Sequence, residues 1–267
     1  MHPSTARRLP MLLLLLLAAP AAAAPGIRLS WDHCSADGRV ANKNFACNTN
    51  TGTETMVVSY EAPLARTDRL GVEITMEVFA SDPVALPAWW LLFNAGSCRS
   101  TSLSANVADP GLSACVDPYG SIGAAGVGAY QVGKWTPNSA QLLIAAAVPA
   151  TDSFAVGPGI ETFAVRVVVN HAKTLGPGAC AGCTQPVCIG VGSVNLTSAN
   201  SIDNIAMVAS GPNEGGGLMN VTWQGAYVTR FTYAGGPALG FIDLVCAPTT
   251  PVPTRARTWG QLRSLYR

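Results

Sequence analysis

Cys180, Cys183 and Cys188 fall within nine residues, in "CAGCTQPVC", and form the densest chemical cluster of the chain. Three chemistries use such a cluster. As thiolates, Cys180 and Cys183 make a C-x-x-C clip; with Cys188 third and Cys246 or His171 fourth, the set suits tetrahedral zinc. A redox centre needs its C-x-x-C at a helix start in a βαβ setting, where the thiol pKa falls. Here "GPGACAGC" is a Gly/Pro loop between β-rich runs, and the second clip of a zinc ribbon is missing. Disulfides are the third option, and an even count of eight cysteines favours them in an exported chain. Proximity in sequence pairs Cys34 with Cys47 and Cys98 with Cys115, each closing a polar loop. Cys180, Cys183, Cys188 and Cys246 remain, with three connectivities open. The expectation is that Cys246 ties the end of the domain back to the Cys180–Cys188 loop while the other two close it. Neither a metal nor a cofactor is expected.

Other chemistry is sparse. Beyond His2 there are two histidines, His33 and His171. No G-x-S-x-G, H-E-x-x-H, P-loop or dinucleotide glycine pattern occurs. "GPNEGGG" precedes a strand-like run and carries no lysine, so it reads as a loop. A glycosidase needs only two carboxylates at a set separation, and Glu161, Asp203, Glu214 and Asp243 are candidates. No catalytic residue is assigned. Four asparagines in "NKNFACNTNTG" could offer calcium their carbonyls, but with few acids nearby, turn chemistry is the better reading. Aromatics carry the binding expectation. Trp89 and Trp90 are adjacent, so in a strand they point to opposite faces. One then belongs to the core, and Trp90 could be a stacking platform beside Asn94 and Arg99. Trp135 is a second platform candidate.

Both ends of the chain differ from its middle. Arg7 and Arg8 precede an apolar run, Met11 to Ala18, and an alanine-rich exit, so residues 1–24 read as a secretory signal peptide. The run is too short to span a bilayer, and no membrane insertion is expected once it is removed. At the other end, residues 248–267 read as a Pro-rich linker and a basic tail. Trp259, Leu262 and Tyr266 share a helical face there, with Arg263 beside them, as a sorting or docking tag would need. Setting aside Arg7, Arg8 and the tail's Arg255, Arg257, Arg263 and Arg267 leaves ten cations against fifteen acids, a core of −5 and a tail of +4. An acidic core argues against nucleic-acid binding.

The elements that must position these groups are strands. "LGVEITMEVFA" alternates Val72, Ile74, Met76 and Val78 with Glu73, Thr75 and Glu77. "ETFAVRVVVN", "VCIGVGSVNL" and "VTWQGAYVTRFTY" are equally β-rich. "QLLIAAAV" fits a strand or a helix, and "AWWLLF" after Pro87 reads as a strand entering a core. Short strands between Gly, Pro and Asn turns predict an all-β fold: a disulfide-stapled β-sandwich or jelly roll over residues 25–247, as one domain.

"LPAWWLLFNAGSCR", "NHAKTLGPGACAGCTQPVCIG" and the ending "TWGQLRSLYR" resemble a group of uncharacterised secreted bacterial β-sandwich proteins with a Pro-rich spacer and a short C-terminal tail. The resemblance covers most of the chain and implies an exported domain with a delivery tail; it brings no activity to transfer. A looser likeness to cohesin- or carbohydrate-module-type sandwiches rests on the fold reading alone. The function expected is a secreted or cell-surface binding or adhesion module whose partner is a glycan or a surface protein, with a sorting or docking receptor for the tail. The alternatives are a secreted hydrolase with a carboxylate pair and a structural envelope component docked by its tail.

Overall fold

The computed structural model describes residues 25–108, 111, 114–208 and 219–226, and the backbone of Val228–Ala234 and Phe241–Cys246. The expected signal peptide and C-terminal tail lie outside the described residues. In chain order the strands are β1 (Gly26–Trp31), β2 (Asn42–Lys43), β3 (Thr53–Glu61), β4 (Arg66–Ala80), β5 (Leu103–Asn106), β6 (Ala124–Val132), β7 (Ser139–Ala147), β8 (Phe154–Val156), β9 (Glu161–Asn170), β10 (Val187–Ser198), β11 (Ile205–Val208), β12 (Asn220–Trp223), β13 (Val228–Ala234) and β14 (Phe241–Cys246).

They form an all-β fold of two facing sheets. The smaller has the order β1-β3-β9-β5 and is antiparallel throughout. The larger runs β2-β12-β10-β4-β7-β6, with β11 beside β10 and β8 beside β4; only the β2–β12 pair in it is parallel. β13 and β14 pair with each other. Period-two patterning produces this arrangement. Val72, Ile74, Met76 and Val78 turn inward from β4 and are buried, as are Phe163, Val165, Val167 and Val169 of β9. "QLLIAAAV" resolves as β7: Leu142, Ile144 and Ala146 face the core while Ala145 and Ala147 are exposed.

"AWWLLF" does not form a strand. Ala88–Trp90 is a single 3-10 turn after Pro87, and Leu92 is its buried continuation. A 3-10 turn does not alternate faces as a strand does. Both indoles therefore enter the core, with Trp89 0% and Trp90 1% exposed.

The disulfides correct the local pairing expected from sequence. Cys34 joins Cys115, Cys47 joins Cys183 and Cys98 joins Cys180, with Cα–Cα distances of 6.2, 6.0 and 6.0 Å. Each bridge spans 81 residues or more. The reason lies in β9. The segment between Cys98 and Cys115 contains β5, which pairs along β9 from Leu103↔Val169 to Asn106↔Arg166, and Val116 then bridges Thr162. From Val169 to Thr162 at ~3.3 Å per residue is about 23 Å, so Cys98 and Cys115 leave toward opposite ends of β9. Cys34 and Cys115 share the Glu161 end. Cys98, Cys180, Cys47 and Cys183 cluster toward the His171 end. Cys188 is buried on β10 and also disulfide-bonded; the Cys246 side chain lies outside the described residues.

Candidate binding surface

The cysteine cluster is a staple. Both sulfurs of the C-x-x-C clip are consumed, by Cys98 and by Cys47, so neither is a thiolate for zinc or redox work. His171, the other ligand considered, stacks on Phe45 at 3.9 Å. Its Nδ1 meets Thr51 O at 2.7 Å and its Nε2 meets Glu54 Oε1 at 3.1 Å. Lys43 then bridges Glu54 and Asp32. The asparagine-rich loop is tied down by its amides. Asn50 Oδ1 accepts from Thr174 N and Leu175 N, and Asn42 Oδ1 accepts from Gly225 N.

Trp90 and Arg99 are core residues, which corrects their reading as a platform and its polar rim. Trp223 stands at the centre of a tryptophan cluster, 5.2 Å from Trp89, 5.7 Å from Trp90 and 5.9 Å from Trp31 by ring centroids. Aromatic pairs of this kind contribute about 0.5–1.5 kcal/mol beyond their buried area. Three of the four indoles donate inside the protein: Trp31 to Thr222 O, Trp89 to Thr174 Oγ1 and Trp223 to Cys183 O. Arg99 is 1% exposed and donates to Trp89 O, Ala172 O and Asn170 O. Burial pushes its guanidinium down to about 9. Asn94, half-buried, helps close the turn after Trp90: its N–H donates to Leu92 O and its carbonyl accepts from Ser97.

Of the carboxylate candidates, the two among the described residues, Glu161 and Asp203, lie at different cavities. Glu161 lies beside a cavity of about 310 Å³ that it shares with Arg28, Ser35 and Glu61. It pairs across the ladder with Glu61, a residue the sequence reading passed over. Every oxygen of this pair is engaged. Glu61 accepts from Arg28 Nη2 at 2.9 Å and from Gly159 N at 2.6 Å. Glu161 accepts from Ser35 N, Ala36 N and Ser59 Oγ at 2.9, 3.0 and 2.5 Å. The pair clamps the turn after Cys34, with each of its four oxygens accepting at least one hydrogen bond. Asp203 sits elsewhere, at an open groove of about 830 Å³ with Arg66 and Asp68. Glu214 and the Asp243 side chain lie outside the described residues.

Trp135 differs from the other described tryptophans because it is half-buried rather than buried. It follows β6 in the tight β6–β7 connection, where Ser139 Oγ accepts from its N–H and from that of Thr136. Its indole Nε1 donates to Glu77 Oε2 at 2.8 Å, and Gln141 Nε2 donates to Glu77 Oε1 at 2.8 Å. Lys134 Nζ lies 5.3 Å from the ring centroid. The alternation along β4 puts Glu77 on the face opposite the core. It does point outward with Glu73 and Thr75, but it is 1% exposed. Burial raises its carboxyl to about 7 against the pull of Gln141, Trp135 and Lys134. The ladders place Gly190, Glu77, Gln141 and Gln131 in one outward row. Beyond it, Asn195 donates to Glu73 at 3.2 Å. This outer face therefore combines one fixed aromatic ring with a band of amide and carboxyl groups.

No protein-family model matches the chain. No curated protein matches it. Among solved structures it is similar to the sixth cohesin of scaffoldin B from Acetivibrio cellulolyticus, in complex with a Cel5 dockerin mutant, at 11% identity and a TM-score of 0.32 over 74% of this chain and 97% of that one. At that score the likeness carries no argument.

Proposed function

We propose that the chain is an exported binding module that takes a glycan on the outer face of its larger sheet. The observation that carries this reading is Trp135, half-buried and fixed through its indole N–H to the buried Glu77. A fixed ring offers an apolar plane to a sugar without the entropy cost of ordering it. Gln141, exposed Gln131 and the Asn195–Glu73 pair supply donors and acceptors for hydroxyls. The disulfides fit an oxidising compartment. The basic tail with Trp259, Leu262, Arg263 and Tyr266 serves as the sorting or docking element. Deleting residues 258–267 should release the protein into the medium, and unchanged localisation would remove that part of the reading.

A glycan array probed with the full exported chain tests the binding. We expect a defined set of glycans to be retained, and Trp135→Ala to abolish retention with little change in melting temperature. Trp90→Ala is the contrasting variant and should unfold the protein instead. An array with no retained glycan, or retention that survives Trp135→Ala, overturns the proposal.

A further inference from the structure

Among the described residues, strand β6 is an edge without the usual guards. A sheet edge exposes unpaired N–H and C=O groups, and proteins blunt it with short strands, charges or proline. The other described edges follow that rule. β2, β5, β8 and β11 have two, four, three and four residues. β1 carries Arg28 and starts after Pro25, and β13 and β14 carry Arg230 and Asp243 in their sequences. β6 has nine residues, and no charge or proline lies within it. The uncharged stretch runs the whole way from Pro118 to Gly133. β5 comes near β6 without joining its ladder, and Gly126 and Gly128 are exposed.

Those two glycines are unexplained within one copy. Glycine weakens a strand interior, and it marks a bulge, a bend or a place where another backbone approaches closely. Neither has positive φ. A Cβ on Gly126 would meet nothing within 4 Å, and one on Gly128 would meet only Leu143 O at 3.7 Å. The ladder bulge lies between Val127 and Ala129 and accounts for Gly128 at most. Among the described residues, nothing gives Gly126 an internal reason. At the strand's two ends stand large apolar side chains in solvent, Ile122 at 51% and Val132 at 41% exposure.

We infer that β6 pairs antiparallel with β6 of a second copy of this chain, joining the two larger sheets into one across a two-fold axis. Such pairing is isologous: the same strand serves on both sides. It brings the Ile122 end of each strand to the Val132 end of the other, so exposed apolar groups cover one another. An uncharged strand meets itself without like-charge repulsion, and the glycines let the backbones approach.

Sedimentation of the full exported chain over a range of concentrations tests this, and a dimer is expected. Gly126→Lys and Gly128→Lys place a charge against its own copy and should weaken association at least about tenfold. The space around both glycines means neither variant should disturb the monomer. A second measurement needs no variant: exchange of the amides of residues 124–132 should slow as wild-type concentration rises. A monomer at every concentration, a dimer that survives both lysines, or β6 exchange indifferent to concentration overturns the inference. Glycan retention at Trp135 is a separate readout and does not depend on it.

Discussion

Arg99 holds its guanidinium carbon 3.6 Å from the centroid of the Trp89 ring. Its N–H groups end on three backbone carbonyls, drawn from the turn at Trp89 and from residues 170 and 172. One side chain thus joins the tryptophan turn to the end of β9. Arg99→Met should leave those carbonyls buried without donors and cost about 2–4 kcal/mol, read by urea denaturation. Arg99→Lys should recover little, because an ammonium cannot serve three divergent acceptors and stack at once.

Glu77 makes stability pH-dependent. Its carboxyl sits at about 7 in the folded protein against 4.5 when unfolded, so the folded state holds the extra proton between those values. Stability therefore falls as pH rises from about 4.5 to 7 and is flat above. The shift corresponds to a penalty on the order of 3 kcal/mol at alkaline pH. Glu77→Gln keeps an acceptor for Trp135 and removes the charge. It should be more stable than wild type at pH 8 and equal to it near pH 4. A pH-independent difference between the two would refute this account.

Arg28 faces two carboxylates. It lies 2.9 Å from Glu61 and 3.6 Å from Glu161, and all three side chains are buried. Arg28→Met leaves both negative charges without it and should cost about 3–5 kcal/mol. The double change Arg28→Met with Glu61→Gln should recover part of that loss, which a thermodynamic cycle would measure.

Non-reducing peptide mapping should find Cys34–Cys115, Cys47–Cys183 and Cys98–Cys180 as cross-linked pairs. Peptides joining Cys34 to Cys47 would contradict the structure. In the chain-entropy estimate, each loop of this length contributes about 4.5 kcal/mol, so replacing both Cys34 and Cys115 by Ser should lower stability by several kcal/mol.

Strands were legible wherever one face is buried and the other wet. Val72 to Val78 show that alternation and form β4; Phe163 to Val169 is a β-branched run with no exposed residue and forms β9. Glu77 shares the period of Glu73 yet is buried, because its cover comes from Trp135 in another segment. Periodicity reports the face of a residue and cannot report what lies over that face. Trp90 is buried for a related reason: Pro87 starts a 3-10 turn, in which adjacent residues do not alternate faces. Arg28, Glu61 and Glu161 are 33 and 100 residues apart in sequence and meet only because β1, β3 and β9 are neighbours. Cysteine parity identified disulfides, but partners are set by strand order, which the spacing of cysteines does not encode.

The Cys34–Cys115 bridge crosses the other two described in full: it encloses Cys47 and Cys98, whose partners Cys183 and Cys180 lie farther along. A chain delivered N-terminus first presents Cys34 and Cys47 together long before Cys115, Cys180 or Cys183 arrive. On the proposed export route, the first bond available is therefore a non-native one, and it would keep Cys34 from Cys115. If the chain is exported as proposed, its yield should thus depend on an enzyme that reshuffles disulfides, and a host that only oxidises thiols should accumulate protein locked through its first two cysteines.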